Sequence, residues 1–97
     1  MNTTDSETLI EVLLERFEKH QLERILRLKR QVVDGGLLSE YDRDFLDEVC
    51  REAMESKYLV DKFPQYQPLF AQVVHLYREI TTMALKNEQN QANAGGG

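Results

Sequence analysis

The sequence predicts an all-α protein: a three-helix antiparallel bundle with a long first helix, which associates into a helical dimer. Apolar residues recur at three- and four-residue steps in three segments, at about 5–33, 40–57 and 68–87. A pair of glycines separates the first two segments, and a connector with two prolines separates the last two. The first segment is much longer than the second, so part of it is expected to lack cover within one chain.

The first helix is predicted over residues 5–33 because this stretch contains no Gly, no Pro and no cluster of turn residues. At its start, Thr4 and Glu7 have the spacing of a capping box. At its end, Gly35 and Gly36 supply the residue type that most readily adopts the left-handed conformation of a helix C-cap. These signals define one uninterrupted helical segment.

The apolar residues of this helix do not form one stripe. On a helical wheel, those before Lys19 and those after Gln21 are centred about 100° apart. We therefore expect one rod with two differently aimed faces. We expect the face after Gln21 to form part of the bundle core and the face before Lys19 to contact something other than this core.

Residues 5–15 are expected to lie beyond the end of the second helix and to expose several large apolar side chains. Three arrangements would cover them. The preferred one is a symmetric homodimer, the second is a different helical protein, and the third is a break near residues 19–21 that folds the chain into a four-helix bundle. The third lacks the Pro or Gly that usually accompanies a sharp kink.

The second helix is predicted to begin after Ser39, an N-cap candidate with Asp42 three residues later. The third is predicted to begin at Pro68, since proline is favoured in the first turn of a helix. The intervening connector is expected to fold under one end of the bundle through its apolar residues, Leu59, Val60, Phe63 and Tyr66. Residues 1–88 form the single domain, and residues 89–97 are expected to be a disordered polar and glycine-rich tail.

Composition narrows the class of protein. The chain has 97 residues, a net charge of −5 and one cysteine, which together indicate a single acidic domain without an internal disulfide. It has neither a signal-peptide pattern nor an apolar run long enough to span a membrane, so a cytoplasmic protein without membrane association is expected. The acidic balance makes nucleic acid an unfavourable partner.

No catalytic, metal or cofactor motif is recognisable. His20 and His75 lack the Glu that precedes His by three residues in di-iron helical bundles, and there are no paired cysteines. Cys50 lies in an apolar stripe of the second helix and is interpreted as a structural cysteine. The sequence therefore predicts a protein that is not an enzyme and that needs neither metal nor cofactor.

The predicted function is a small interaction or regulatory module that acts by helix-to-helix association, as a homodimer or with another helical protein. The predicted partner interface combines apolar residues of the first helix with a seven-residue repeat on the third: Leu9, Ile10, Leu13, Leu14, Phe17, Leu69, Leu76 and Met83. The alternative function is anion or nucleic-acid binding through the basic segment 24–30, in which Arg24, Arg27 and Arg30 step by three.

Overall fold

The computed structural model describes the backbone of residues 3–96 and the side chains of residues 5–93, and every secondary-structure element in that part is helical. The elements are α1 (Thr3–Arg16), a π-helical turn (Phe17–Gln21), α2 (Leu22–Val33), α3 (Glu40–Glu55), α4 (Lys57–Lys62), a 3-10 turn (Pro64–Tyr66) and α5 (Gln67–Gly96). The all-α prediction is confirmed. Of the helices in the described part, none is long and apolar enough to cross a membrane.

The π-helical turn joins α1 and α2 into one rod and changes their relative rotation. The Leu22 amide donates to the carbonyl of Phe17, five residues back instead of four. A turn with one extra residue rotates everything after it backwards by about 100°, the angle of one residue. This rotation offsets the difference between the two apolar faces, and Ile10 and Ile25 are both buried. Part of the first face, which was expected to meet something else, is therefore covered within the chain.

The rod does not fold back into a four-helix bundle at this turn. α1 packs against α4, and α2 packs against α5. The rotation needs no Pro or Gly, because a π-bulge alone is enough to interrupt the regular geometry of a helix.

The helix ends follow local chemistry. Gly35 has φ +94°, the left-handed conformation predicted for the first C-cap. Ser39 and Asp42 form the predicted capping box, with each side chain accepting a 3.1 Å hydrogen bond from the other residue's amide. α3 ends at Glu55, two residues earlier than predicted. The Thr4 side chain, on which the first capping prediction depends, lies outside the described residues.

Two apolar clusters hold the chain together. The larger one joins α2, α3 and α5 around the fully buried Leu46 and Ile80. The smaller one places Ile10 of α1 among Leu59, Val60 and Phe63 of the connector. The connector folds under one end as predicted, but it is largely helical. For this reason the expectation that residues 5–15 lack intramolecular cover is only partly correct.

α5 is longer than predicted. The helix was expected to end near residue 87, yet it continues through residues assigned to a disordered tail and ends at Gly96. Polar contacts to the end of α2 and the α2–α3 turn hold the start of this extension. The Asn87 amide donates to the carbonyls of Val32 at 2.8 Å and Gly36 at 2.9 Å, and Glu88 pairs with Arg43. Gly97 lies outside the described residues.

Candidate functional site: an apolar pocket beside the first helix

An apolar pocket of about 110 Å³ opens where the first and last helices diverge. α1 and α5 each pack against α4, and space remains between them. We call this cavity the arm pocket. Its apolar walls come from α1, the π-helical turn, α3, α4, the 3-10 turn and α5, through Ile10, Leu13, Leu14, Phe17, Val49, Ala53, Val60, Tyr66, Leu69, Phe70 and Val73.

A short polar network borders the arm pocket and is centred on Glu52. The Glu52 carboxylate accepts a 3.2 Å hydrogen bond from the Gln21 amide and pairs with Arg16 at 3.4 Å. The backbone carbonyl of Glu52 accepts a 2.8 Å hydrogen bond from the Ser56 hydroxyl. These contacts join α3 to the rod and place donors and acceptors at the edge of an otherwise apolar cavity.

The predicted interface residues fall into three groups. Ile10, Leu13, Leu14, Phe17 and Leu69 line the arm pocket. Leu9 packs against the smaller apolar cluster beside it. Leu76 and Met83 pack against the larger cluster instead, farther along α5, so they are not part of the pocket wall.

The three predicted anion-binding arginines do not present one row of free guanidinium groups. Arg24 lies over the Phe45 ring, 4.1 Å from its centroid, and pairs with Asp42 at 3.5 Å. Arg27 and Arg30 are exposed on α2, and within the described residues no ion pair to either is found. Arg24 thus stabilises the contact between α2 and α3.

The histidines and the cysteine do not converge. The His75 side chain is 77% exposed and faces Glu79 on its own helix at 3.5 Å. Cys50 is a half-buried free thiol, and His20 is exposed at the π-helical turn. Within residues 5–93, no group of three or more His, Cys, Asp or Glu side chains is placed to hold a metal ion.

Tyr77 is the titratable group with the clearest perturbation. Its hydroxyl donates a 2.9 Å hydrogen bond to the Asp47 carboxylate, and this bond, together with burial and the Asp47 charge, raises the pKa of Tyr77. A hydrogen bond to the neutral phenol disfavours its ionisation. This contact joins α5 to α3 away from the arm pocket and acts as a structural link.

The polar border of the arm pocket was missed from the sequence. Arg16, Gln21 and Glu52 carry no motif, and only the fold brings residue 52 to residues 16 and 21. Tyr58 was assigned to a connector, whereas it lies on α4 with 61% of its surface exposed. No protein-family model matches the chain, and neither curated proteins nor solved structures show a significant similarity to it.

Proposed function

We propose that this protein is a helix-association module that works as a symmetric homodimer through the arm pocket. The observation that carries the proposal is the convergence of five predicted interface residues from two distant segments on one open apolar cavity. Concave, mostly apolar cavities with a few polar groups at the edge are the usual form of binding sites in proteins. In a chain this small, such a cavity also lowers stability, because the residues around it lose packing contacts that the core needs.

We further propose that α2, α3 and α5 form an antiparallel three-helix bundle that supports this site. Pairs of contacts at both ends of α3 support the arrangement. Near its start, Asp42 meets Arg24 of α2, and Arg43 meets Glu88 of α5. Near its end, Glu52 meets Arg16. These contacts support an α3 that runs opposite to its two neighbours, with the rod forming one wall of the pocket.

The function we propose requires no chemical step. The groups that border the pocket are an ion pair, an amide and a hydroxyl whose described partners are each other. Such groups suit the orientation of an apolar side chain from a partner, with water excluded from the pocket interior.

Sedimentation equilibrium at micromolar protein tests the association. We expect the wild-type chain to be a dimer and Leu13→Glu to be a monomer, because a carboxylate in the pocket wall opposes burial by the partner. Val33→Glu is the matched control, since Val33 is 56% exposed and lies at the far end of the rod. Circular dichroism must show both variants folded. A monomeric wild-type chain would contradict the proposal.

Salt dependence separates this function from anion or nucleic-acid binding. Association through apolar contacts changes little between low and high salt, whereas binding to phosphates weakens steeply. Arg27→Glu combined with Arg30→Glu is expected to leave the dimer intact. Loss of the dimer in this double variant, with retention in Leu13→Glu, would favour the basic segment instead.

A further inference from the structure

We infer that Tyr58 of a second copy fills the arm pocket, and that the exchange is reciprocal. The inference rests on the proposed homodimer and names the side chain that forms its anchor. It assigns a projecting residue, Tyr58, and a receiving cavity, the arm pocket, to neighbouring parts of the surface of one chain.

The placement of Tyr58 next to the pocket is the first observation. Tyr58 lies in the first turn of α4 and is 61% exposed. It lines a second surface pocket together with Leu13, Arg16, Glu52 and Ser56, and all four of these also line the arm pocket. The projection and the cavity therefore share a wall.

In a symmetric dimer, the position of Tyr58 next to the pocket also determines what the partner presents to that pocket. A two-fold interface uses the same patch on both subunits, so the patch must complement itself. A face that carries both a projecting aromatic ring and an apolar cavity meets this requirement, because each copy donates one ring and receives one. A second copy of this chain is therefore the occupant that the face fits.

The size and chemistry of the cavity agree with a phenol ring. The pocket volume is about 110 Å³. An engineered apolar cavity of about 150 Å³ holds a benzene molecule, so a single ring is the right scale once the mouth of an open pocket is included. The ring would contact Leu14, Phe17 and Leu69, and its hydroxyl would reach the polar border at Gln21 or Ser56. Tyrosine is enriched among the residues that dominate binding energy at interfaces.

Charge supports self-association at this face. The chain carries a net charge of −5, which opposes contact between copies elsewhere. Around the pocket and Tyr58, however, the charges are paired within the molecule. Arg16 meets Glu52 at 3.4 Å, Arg51 meets Glu55 at 3.5 Å, and Lys57 meets Asp61 at 3.0 Å. A locally neutral face with both signs allows two copies to approach without net repulsion and to exchange ion pairs.

Tyr41 provides a matched control within the same chain. It is a tyrosine in the first turn of α3, with 82% of its surface exposed, and it lines neither the arm pocket nor the neighbouring pocket that Tyr58 lines. If surface aromatics promote association in general, Tyr41→Ala and Tyr58→Ala will weaken the dimer alike. If Tyr58 is the anchor, only Tyr58→Ala will do so.

The test is a complementation experiment by sedimentation equilibrium. Tyr58→Ala removes the projecting ring, and Leu69→Trp fills the cavity from its wall. Each variant alone is expected to raise the dimer dissociation constant about tenfold or more, the scale of a dominant interface residue, while Tyr41→Ala stays within about twofold. An equimolar mixture of the two variants is expected to recover part of the association, because the mixed dimer has one ring and one cavity that match.

The outcomes separate the two proposals. A wild-type dimer that Tyr58→Ala and Tyr41→Ala affect equally would overturn the role of Tyr58 and leave the homodimer standing. A wild-type monomer would overturn both. A wild-type monomer in which phenol shifts the NMR resonances of Leu13, Leu14 and Leu69 would assign the pocket to a small aromatic ligand instead. Failure of the mixture to associate better than either variant would contradict reciprocal exchange.

Discussion

The side-chain amide of Gln21 donates a 3.2 Å hydrogen bond to the carboxylate of Glu52, and this bond joins the π-helical turn to α3. Glu52 also pairs with Arg16, one residue before the turn. One carboxylate on a neighbouring helix thus contacts the last residue of the irregular turn and the residue just before it. The same carboxylate borders the arm pocket, so the rotation of the rod and the shape of the pocket depend on one contact.

Replacing this carboxylate should cost stability. Glu52→Ala is expected to lower the free energy of unfolding by about 1 kcal/mol or slightly more, because two charge-assisted contacts at a partly buried position are lost. Glu48→Ala is the control, since Glu48 is exposed and meets only Arg51, at 3.9 Å, on its own helix. Its effect should stay below about 0.5 kcal/mol. Urea denaturation measures both variants, and equal effects would argue against a specific role for Glu52.

The rotation at the π-helical turn can be tested by deleting one residue. Deletion of His20, which is exposed, should convert the turn into regular α-helix while both apolar faces keep their directions. We expect the free energy of unfolding to stay within about 1 kcal/mol of the wild type, the size of an ordinary helix-propensity change.

Deletion of Glu11, also exposed, is the matched control. It removes a residue from regular α-helix, so it rotates everything before it by about 100° and takes Ile10 out of its cluster. The expected loss is about 2 kcal/mol or more, similar to truncation of a buried isoleucine. If the two deletions destabilise the protein equally, the compensating rotation is not the reason for the π-helical turn.

Alkaline pH should weaken the link between α5 and α3. The pKa of Tyr77 is raised in the folded state above its ordinary value of 10.0, first of all by its hydrogen bond to Asp47. The neutral phenol is therefore favoured by folding. The contribution of the neutral Tyr77 phenol to the free energy of unfolding is fully present below pH 10. It is lost as the pH rises from there through the folded-state pKa.

NMR titration of the tyrosine ring carbons measures this effect. Tyr77 should ionise above its ordinary pKa of 10.0, and Asp47→Asn should bring its pKa back toward that value. Tyr77→Phe should remove the corresponding part of the stability loss above pH 10. A Tyr77 resonance that titrates with the ordinary pKa of 10.0 would contradict the prediction.

The turn between α2 and α3 depends on the positive φ of Gly35. Gly35→Ala is expected to cost about 1 kcal/mol or slightly more, because side chains with a Cβ disfavour this conformation. Gly35→Asn should cost less, since asparagine tolerates the left-handed region better. Thermal unfolding of the two variants measures the difference. Alanine tolerated as well as asparagine would mean that backbone conformation does not limit stability at this turn.

Much of the fold could be predicted because its signals are local. Gly35 and Ser39 mark helix ends through backbone conformation and a capping box, both set within a few residues. Leu59, Val60 and Phe63 could be predicted to point inward because they are apolar residues in a connector between helices. Signals of this kind depend on residues that are close in sequence to the structural feature they determine.

The features that sequence could not predict depend on distant contacts. The π-helical turn spans five residues without Gly or Pro, so no local signal in the sequence marks it. The extension of α5 depends on Asn87 meeting carbonyls more than fifty residues earlier in the chain. Several apolar side chains of the site were predicted, but the cavity between them arises from how α4 separates α1 from α5.

The mass of the wild-type protein in solution tests the central claim most directly. Sedimentation equilibrium between about 1 and 100 µM spans the micromolar affinity expected of a modest interface. The account predicts a reversible monomer–dimer equilibrium that approaches twice the chain mass of 11.3 kDa and changes little with salt. A mass of 11.3 kDa at every concentration would contradict it.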